Sequence, residues 1–304
     1  MSDNVPLQSG RLGQKEIDSY WENGLPFPID VFQPEKAKSR RAEFEQLVRK
    51  WLEADLPHPL NAYKRVNSQC VVPIAARLAL DRGILDVVEC IPGPDIMIRS
   101  AEFFVKEPGA NHVFSMHQNL TCWGFGETSN QVTAWLALSP PTVESGCTNF
   151  AAGSHKNPIL PHNDTYSKHN LLSRGREIEV DVADSDKTAI ELKPGQMSLH
   201  HGLTIHGSGI NHSDDRRIGF AIRYIDPNAV QKTGSRDFAM LARGVDMKCG
   251  FMHYATPTEP FSEQSLKLYN TIRTAQLKVL MKDVKQSTSM YQRYEDMPTE
   301  TGES

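Results

Sequence analysis

The sequence predicts a mainly β protein with flanking helices, built as a sandwich or jelly roll, and three observations carry that prediction. Seven short β-like runs follow one another in the middle of the chain, separated by Gly, Pro, Asn or Ser. Helical periodicity is confined to the stretches before and after them, so the strand–helix alternation of a βαβ fold does not arise. The 304 residues, 39% hydrophobic and 23% charged, have the composition of a globular protein able to bury a substantial core.

The elements follow in order. Residues 1–13 are polar and are expected to be a flexible N-terminus. Lys15–Asn23 suits a short helix. Glu35–Ala54 suits a longer one, with Phe44, Leu47, Val48 and Leu52 at helical spacing and Pro34 placed to start it. A third helix is expected over Ile74–Glu89, where Leu78, Leu80, Ile84, Leu85 and Val88 form an apolar face. The break Ile91-Pro92-Gly93-Pro94 ends the helical part. The β-like runs are Ile96–Val105, Val113–His117, Gln131–Leu138, Cys147–Ala152, Arg176–Val182, Gln196–His201 and Arg217–Ile225. Ser154–Gly175, rich in His, Asn and Ser, is too long for a hairpin loop and reads as a lid or binding loop. Helical periodicity returns over Glu259–Val284. We read 14–285 as a single domain with N-terminal helices and a C-terminal helical extension, and the polar residues 286–304 as a disordered tail.

Several function classes are disfavoured. A formal net charge of −4 and the absence of a long basic run argue against nucleic-acid binding, since Lys36-Ala37-Lys38-Ser39-Arg40-Arg41 is diluted at once by Glu43 and Glu45. The five cysteines, Cys70, Cys90, Cys122, Cys147 and Cys249, are odd in number and contain no Cys-x-x-Cys pair. That disfavours a disulfide framework or structural zinc. No apolar run reaches the ~18 residues of a membrane span. Met1–Gly13 lacks the features of a signal peptide, so a cytoplasmic location is expected. Gly207-Ser208-Gly209 lacks the spacing of a hydrolase elbow, and Gly124-Phe125-Gly126 lacks the third glycine of a dinucleotide loop.

One constellation stands out. His117 closes the second β-like run and Asn119 lies two residues on, so in an extended strand His117 and Asn119 share a face. His206 lies in a later segment, followed by Ser208, and Arg217 opens the last strand. Two His and one carboxylate on one face hold non-haem iron(II). Here the carboxylate position carries an amide. A guanidinium such as Arg217 suits a dicarboxylate, because its fork matches both oxygens, and Ser208 could donate to the same group. Spacing alone leaves both a metal site and satisfied polar histidines open. His200, His201 and His212 read as structural or surface residues.

These residues and their surroundings resemble the phytanoyl-CoA dioxygenase family of Fe(II)/2-oxoglutarate oxygenases, over roughly Gly13 to Val230. The similar segments are Phe103-Phe104-Val105-Lys106-Glu107-Pro108-Gly109, His117-Gln118-Asn119-Leu120-Thr121-Cys122-Trp123-Gly124, and Val132-Thr133-Ala134-Trp135-Leu136-Ala137-Leu138. Gly146-Cys147 leading to Gly153-Ser154-His155, and Asp215-Arg216-Arg217, complete the set. The resemblance implies a double-stranded β-helix, a cupin-like jelly-roll barrel with the metal in its mouth. It implies Fe(II) and 2-oxoglutarate as cofactors, O₂ as co-substrate, and hydroxylation of a small molecule with release of succinate. By position, His117, Asn119 and His206 are metal ligands, and Arg217 and Ser208 hold the far carboxylate of 2-oxoglutarate. Thr133 and Lys106 belong to the cosubstrate pocket, and Gln118 and Trp123 face the substrate.

The chain departs from the family's Trp-His-Gln-Asp at Met116 and at Asn119. Met116 should affect packing only. Three outcomes stand for Asn119: ligation through its carbonyl oxygen, a position yielded to halide or water as in halogenases with Gly or Ala there, or a catalytically silent binding jelly roll. The substrate is expected to be a small molecule, polar or anionic, given Arg174 and Arg176 beside the candidate lid. The sequence leaves the oligomeric state open.

Overall fold

Alternate side chains along the central strands face two different surroundings, and that division organises the molecule. The computed structural model describes residues 10–281 except 168, 173, 174 and 235. Most of the expected N-terminal segment, the expected tail and Arg174 therefore lie outside the described residues. The strands are β1 (Ile29–Asp30), β2 (Ile96–Lys106), β3 (Phe114–His117), β4 (Gln131–Ala137), β5 (Thr148–Ala151), β6 (His162–Asp164) and β7 (Arg176–Ile178). They continue with β8 (Lys187–Ile190), β9 (Gln196–His200), β10 (His206–Ser208), β11 (Arg217–Ile225), β12 (Phe238–Arg243) and β13 (Met252–His253). A seven-stranded sheet has the order β1-β9-β4-β11-β2-β12-β13, and a four-stranded sheet the order β3-β10-β5-β8. Side chains from both sheets meet around one cavity, which is the jelly-roll arrangement the sequence predicts.

On the outer face of the larger sheet, Val132, Ala134, Leu136, Leu199, Ile218, Phe220, Ile222, Tyr224 and Phe103 form one apolar cluster with the N-terminal helices. Those helices are α1 (Gln14–Asn23), α2 (Pro34–Trp51), α3 (Leu60–Arg65), α4 (Pro73–Ala79) and α5 (Arg82–Val88). The inner face carries Thr133, Trp135, Arg217, Ala221 and Arg223 toward the cavity. Both faces are covered, so every residue of β4 and β11 is buried. A bulge in β2, where the pairing with β11 skips from Ser100 to Ile98, turns Arg99 inward as well.

The expected helix over Ile74–Glu89 is two helices. Leu80 leaves helical geometry, and Asp81 takes an extended conformation with its carboxylate accepting from the Gly83 N–H at 3.0 Å, capping α5. Cys147–Ala152 and Arg176–Val182 are shorter strands than expected. Ser154–Gly175 is not loop throughout, because β6 within it pairs with β7. Strands of two to six residues, β1, β8, β10, β12 and β13, have no counterpart among the seven predicted runs. A further helix, α6 (Glu263–Leu280), starts at Ser262, whose hydroxyl accepts from the Ser265 N–H, and it returns over the cavity.

The helical layer is anchored where the Phe44 ring stacks on Phe103, with centroids 4.1 Å apart and Phe44 only 1% exposed. Phe44→Ala is expected to lower unfolding free energy by about 3–5 kcal/mol, read as a shift in the urea midpoint. A loss below about 1 kcal/mol would show that this layer contributes little to the fold.

Candidate active site

The short strand β10 pairs with β3 so that His206 stands directly opposite His117, with ring centroids 4.2 Å apart. Each ring is oriented by its own backbone. His117 Nδ1 lies 2.9 Å from the Ser115 carbonyl and His206 Nδ1 lies 2.8 Å from the Thr204 carbonyl. An N–H at Nδ1 bonded to those carbonyls leaves each Nε2 lone pair free, which is how metal-binding imidazoles are usually held. Burial, and then the charge of the neighbouring imidazole, keeps both groups well below the ordinary histidine range. Both are therefore neutral, the form a metal requires.

Asn119 is not on the strand, contrary to the extended geometry expected for it. β3 ends at His117, and Asn119 opens a single 3₁₀ turn, Asn119–Cys122. It is 7% exposed and still lines the cavity with both histidines. Its Nδ2 lies 3.3 Å from Nε2 of His200. Among the described residues no three His, Cys, Asp or Glu side chains gather into a metal-holding group. The side chain that lines the cavity beside the two histidines at the expected third position is therefore the Asn119 amide.

The larger sheet supplies the opposite wall. Ser100, Arg223, Thr133 and His200 are in register across β2, β11, β4 and β9, forming one polar row that faces the cavity. Glu102 pairs with Arg223 at 2.6 Å. Arg217 is 2% exposed, packs its guanidinium 5.7 Å from the Trp135 ring and donates through Nη1 to the Gly146 carbonyl. Gly219 makes that packing possible, since a Cβ there would fall 1.9 Å from the Trp135 ring. Thr133 Oγ1, His200 Nδ1 and Arg217 Nε are buried with no hydrogen-bond partner among the described residues. Such groups are costly unless a ligand satisfies them. Two of the three, with the Ser208 hydroxyl from β10 of the smaller sheet, are donors suited to a carboxylate.

The remaining sequence-predicted residues fall in two places. Trp123 lines the cavity beside Arg99, its ring 5.5 Å from that guanidinium. Gln118 also lines it, but its amide is committed: it donates to Pro158 and Leu203 carbonyls at 3.2 and 3.0 Å and accepts from the Leu160 N–H at 2.8 Å. Lys106 stands behind the wall, donating to the Ser208 hydroxyl oxygen at 2.7 Å and to the Gly209 carbonyl. That bond leaves the Ser208 proton for the cavity.

Sequence reasoning missed several wall residues. His200, read as structural or surface, is 3% exposed and faces the site. Arg65, Arg99, Arg223 and Arg273 were also passed over, as was the part α6 takes through Arg273, Gln276 and Leu280. A signal existed for some of them. Ser100, Glu102, Thr133, Arg223 and His200 are polar residues at alternate positions in otherwise apolar strands, a pattern that marks a polar interior rather than a packed one.

Burial, followed by the charges of Arg217 and Arg65, pushes the Lys106 amine down to about 5. Unfolded, the same group holds its proton to about 10.4. Between those values the unfolded chain binds the extra proton, so Lys106 makes stability rise with pH across that window. Lys106→Met should remove up to about 1.4 kcal/mol per pH unit of that slope between pH 6 and 9, seen by comparing urea unfolding of the two proteins. Equal slopes would mean that Lys106 stays charged in the fold.

A family model described as phytanoyl-CoA dioxygenase (PhyH) matches residues 20–219. The peroxisomal phytanoyl-CoA dioxygenase of Rattus norvegicus is 25% identical over 238 residues, 72% of this chain and 70% of that protein. Most such matches are shorter: the Bos taurus protein is 28% identical over 48% of this chain and 44% of its own length. The chain thus spans about half the length of most curated relatives it matches. A probable alpha-ketoglutarate-dependent hypophosphite dioxygenase of Stutzerimonas stutzeri is 27% identical over 48% of this chain and 51% of that protein. Among solved structures, the apo form of the non-heme monooxygenase ThoJ superposes with a TM-score of 0.77 at 26% identity, covering 92% of this chain and 99% of ThoJ. With the family model matched across the strands that carry both histidines and Arg217, the chain belongs to the phytanoyl-CoA dioxygenase family.

Proposed function

We propose that this chain is an Fe(II)- and 2-oxoglutarate-dependent oxygenase that hydroxylates a small polar or anionic molecule. The observation that carries the reading is the facing pair His117 and His206, each with Nδ1 tied to backbone, beside a wall with buried polar atoms that have no partner among the described residues. His117 and His206 hold iron through Nε2, and Asn119 through its carbonyl oxygen. Arg217 and Ser208 hold the far carboxylate of 2-oxoglutarate, Thr133 donates nearby, and Lys106 keeps Ser208 in place. When iron is bound, the chemistry it supplies is the coupled conversion of 2-oxoglutarate, O₂ and substrate into succinate, CO₂ and hydroxylated substrate.

Trp123 forms part of the substrate wall. Gln118 ties the loops of Leu160 and Leu203 together at the cavity edge. The hydrogen bond from Asn119 to His200, and the burial of both, favour a filled third position over one vacated for halide. The dioxygenase names of the relatives and the solved nickel complex of ThoJ support the cofactor assignment.

The cavity, about 200 Å³, has a wall rich in guanidinium. Arg65, Arg99, Arg176, Arg217, Arg223 and Arg273 line it, whereas Glu102 is the one carboxylate among its described lining residues. Aromatic and aliphatic side chains, Phe104, Phe114, Phe150 and Leu280, fill the rest. That wall favours a substrate with an anionic group on an apolar body. Residues 14–285 act as one unit in this reading, because α6 closes the cavity built by the strands. Five free cysteines support a reducing, cytoplasmic setting; no helix among the described residues is long and apolar enough to cross a membrane.

Aerobic incubation with Fe(II) and 2-oxoglutarate should yield succinate. Arg217→Ala should raise the KM for 2-oxoglutarate roughly 10- to 150-fold, the worth of about 1.5–3 kcal/mol of charged hydrogen bonding. No succinate from the unmodified chain at saturating iron refutes the oxygenase reading. In a panel of size-matched compounds, those bearing carboxylate or phosphate should accelerate succinate formation above the uncoupled rate, and their neutral amides should not. Acceleration by the neutral members alone would exclude the anionic assignment.

A further inference from the structure

A carboxamide binds a metal through its carbonyl oxygen, because the nitrogen lone pair is delocalised and its two hydrogens point outward. An asparagine side chain can present either end to a metal, unlike a carboxylate, whose two ends are equivalent. Something must therefore decide which end of Asn119 faces His117 and His206. His200 Nε2 lies 3.3 Å from Asn119 Nδ2, within reach of an amide N–H. The ring is itself well fixed. It ends β9 opposite Thr133 of β4, is 3% exposed, and packs against both the Phe150 and His206 rings, at 5.0 and 4.8 Å.

We propose that His200 is a positioning residue for Asn119: by accepting a hydrogen bond from the amide nitrogen it turns the carbonyl oxygen toward His117 and His206. This rests on the metal reading above. The acceptor role puts the ring proton on Nδ1, the nitrogen that is buried without a partner among the described residues. In the other tautomer, Nε2–H would face the amide hydrogens, donor against donor. The amide could relieve that only by turning over, which would aim its own hydrogens at the metal. Hydrogen bond and ligation thus select one arrangement. A carboxylate at position 119 would instead meet the Nε2 lone pair with an oxygen lone pair, so His200 in that tautomer suits asparagine and opposes aspartate.

The test is Ni(II) binding by isothermal titration, with 2-oxoglutarate present, to the full chain and four variants. His200→Phe removes the acceptor and should weaken Ni(II) binding about 10- to 100-fold, the usual effect of losing a residue that orients a metal ligand. His200→Gln keeps an acceptor oxygen and should stay within about threefold of the unmodified chain. In an Asn119→Asp background, whose carboxylate needs no orienting, adding His200→Phe should change affinity by less than about threefold. Equal loss in the asparagine and aspartate backgrounds would mean that His200 acts through packing, and overturns the proposal. So would a folded His200→Gln protein as weak as His200→Phe, or a His200→Phe protein as tight as the original. Absence of Ni(II) binding by the unmodified chain overturns the metal reading and this proposal together.

Discussion

His117 and His206 stand opposite each other across a pair of strands only four and three residues long, and the rest of the molecule is arranged around that register. A slip of one residue would turn either ring to the other face of the sheet. Little of the register's stability can come from strands so short. It comes from what lies on either side: Phe150 stacked on His206 at 5.1 Å from β5, and the larger sheet facing them across the cavity. That sheet is held in turn by the helices packed against its outer side. The helical layer therefore acts on the site indirectly, as the support for one wall.

The second feature of the site is its charge. The imidazoles are neutral, Asn119 beside them carries an amide, and the facing wall is rich in arginine. An iron(II) ion held by the two imidazoles and that amide would have no carboxylate among those three groups to offset its charge. Asp237, Glu102 and Asp164 pair with Arg99, Arg223 and Arg176, but none of them replaces a ligating carboxylate, which gives a dianionic cosubstrate more electrostatic weight than in a site with aspartate. The same logic accounts for Lys106. Placed near Arg217 and out of water, it is driven to the neutral amine and serves as a hydrogen-bond donor to Ser208.

Much of the fold was legible because its long elements carry strong periodic signals. The runs Ile96–Val105 and Arg217–Ile225 were recognisable as strands, and the helix ending at Asn23 as a helix, from their patterns of apolar residues. β10 was not, since three residues carry no period, although His206 within it was identified from spacing and family resemblance. The break at Asp81 was missed because the apolar face runs through it unbroken, and only the capping carboxylate reveals it. Within the candidate site, the predicted residues His117, Asn119, His206, Arg217, Ser208 and Thr133 come together around one cavity. What stayed hidden depended on tertiary contact. The proximity of His200 to Asn119 needs β9 to lie across from the turn after β3, and Arg273 enters from a helix that follows every strand. No local pattern encodes either.

The central claim is that two histidines and an amide bind iron beside a 2-oxoglutarate pocket. Anaerobic addition of Fe(II) and then 2-oxoglutarate, followed by visible absorption spectroscopy, addresses it most directly. The account predicts the weak charge-transfer band of the iron–2-oxoglutarate chelate in the unmodified chain and its loss in His206→Ala. No band at saturating iron, or a band of equal intensity without His206, would contradict it.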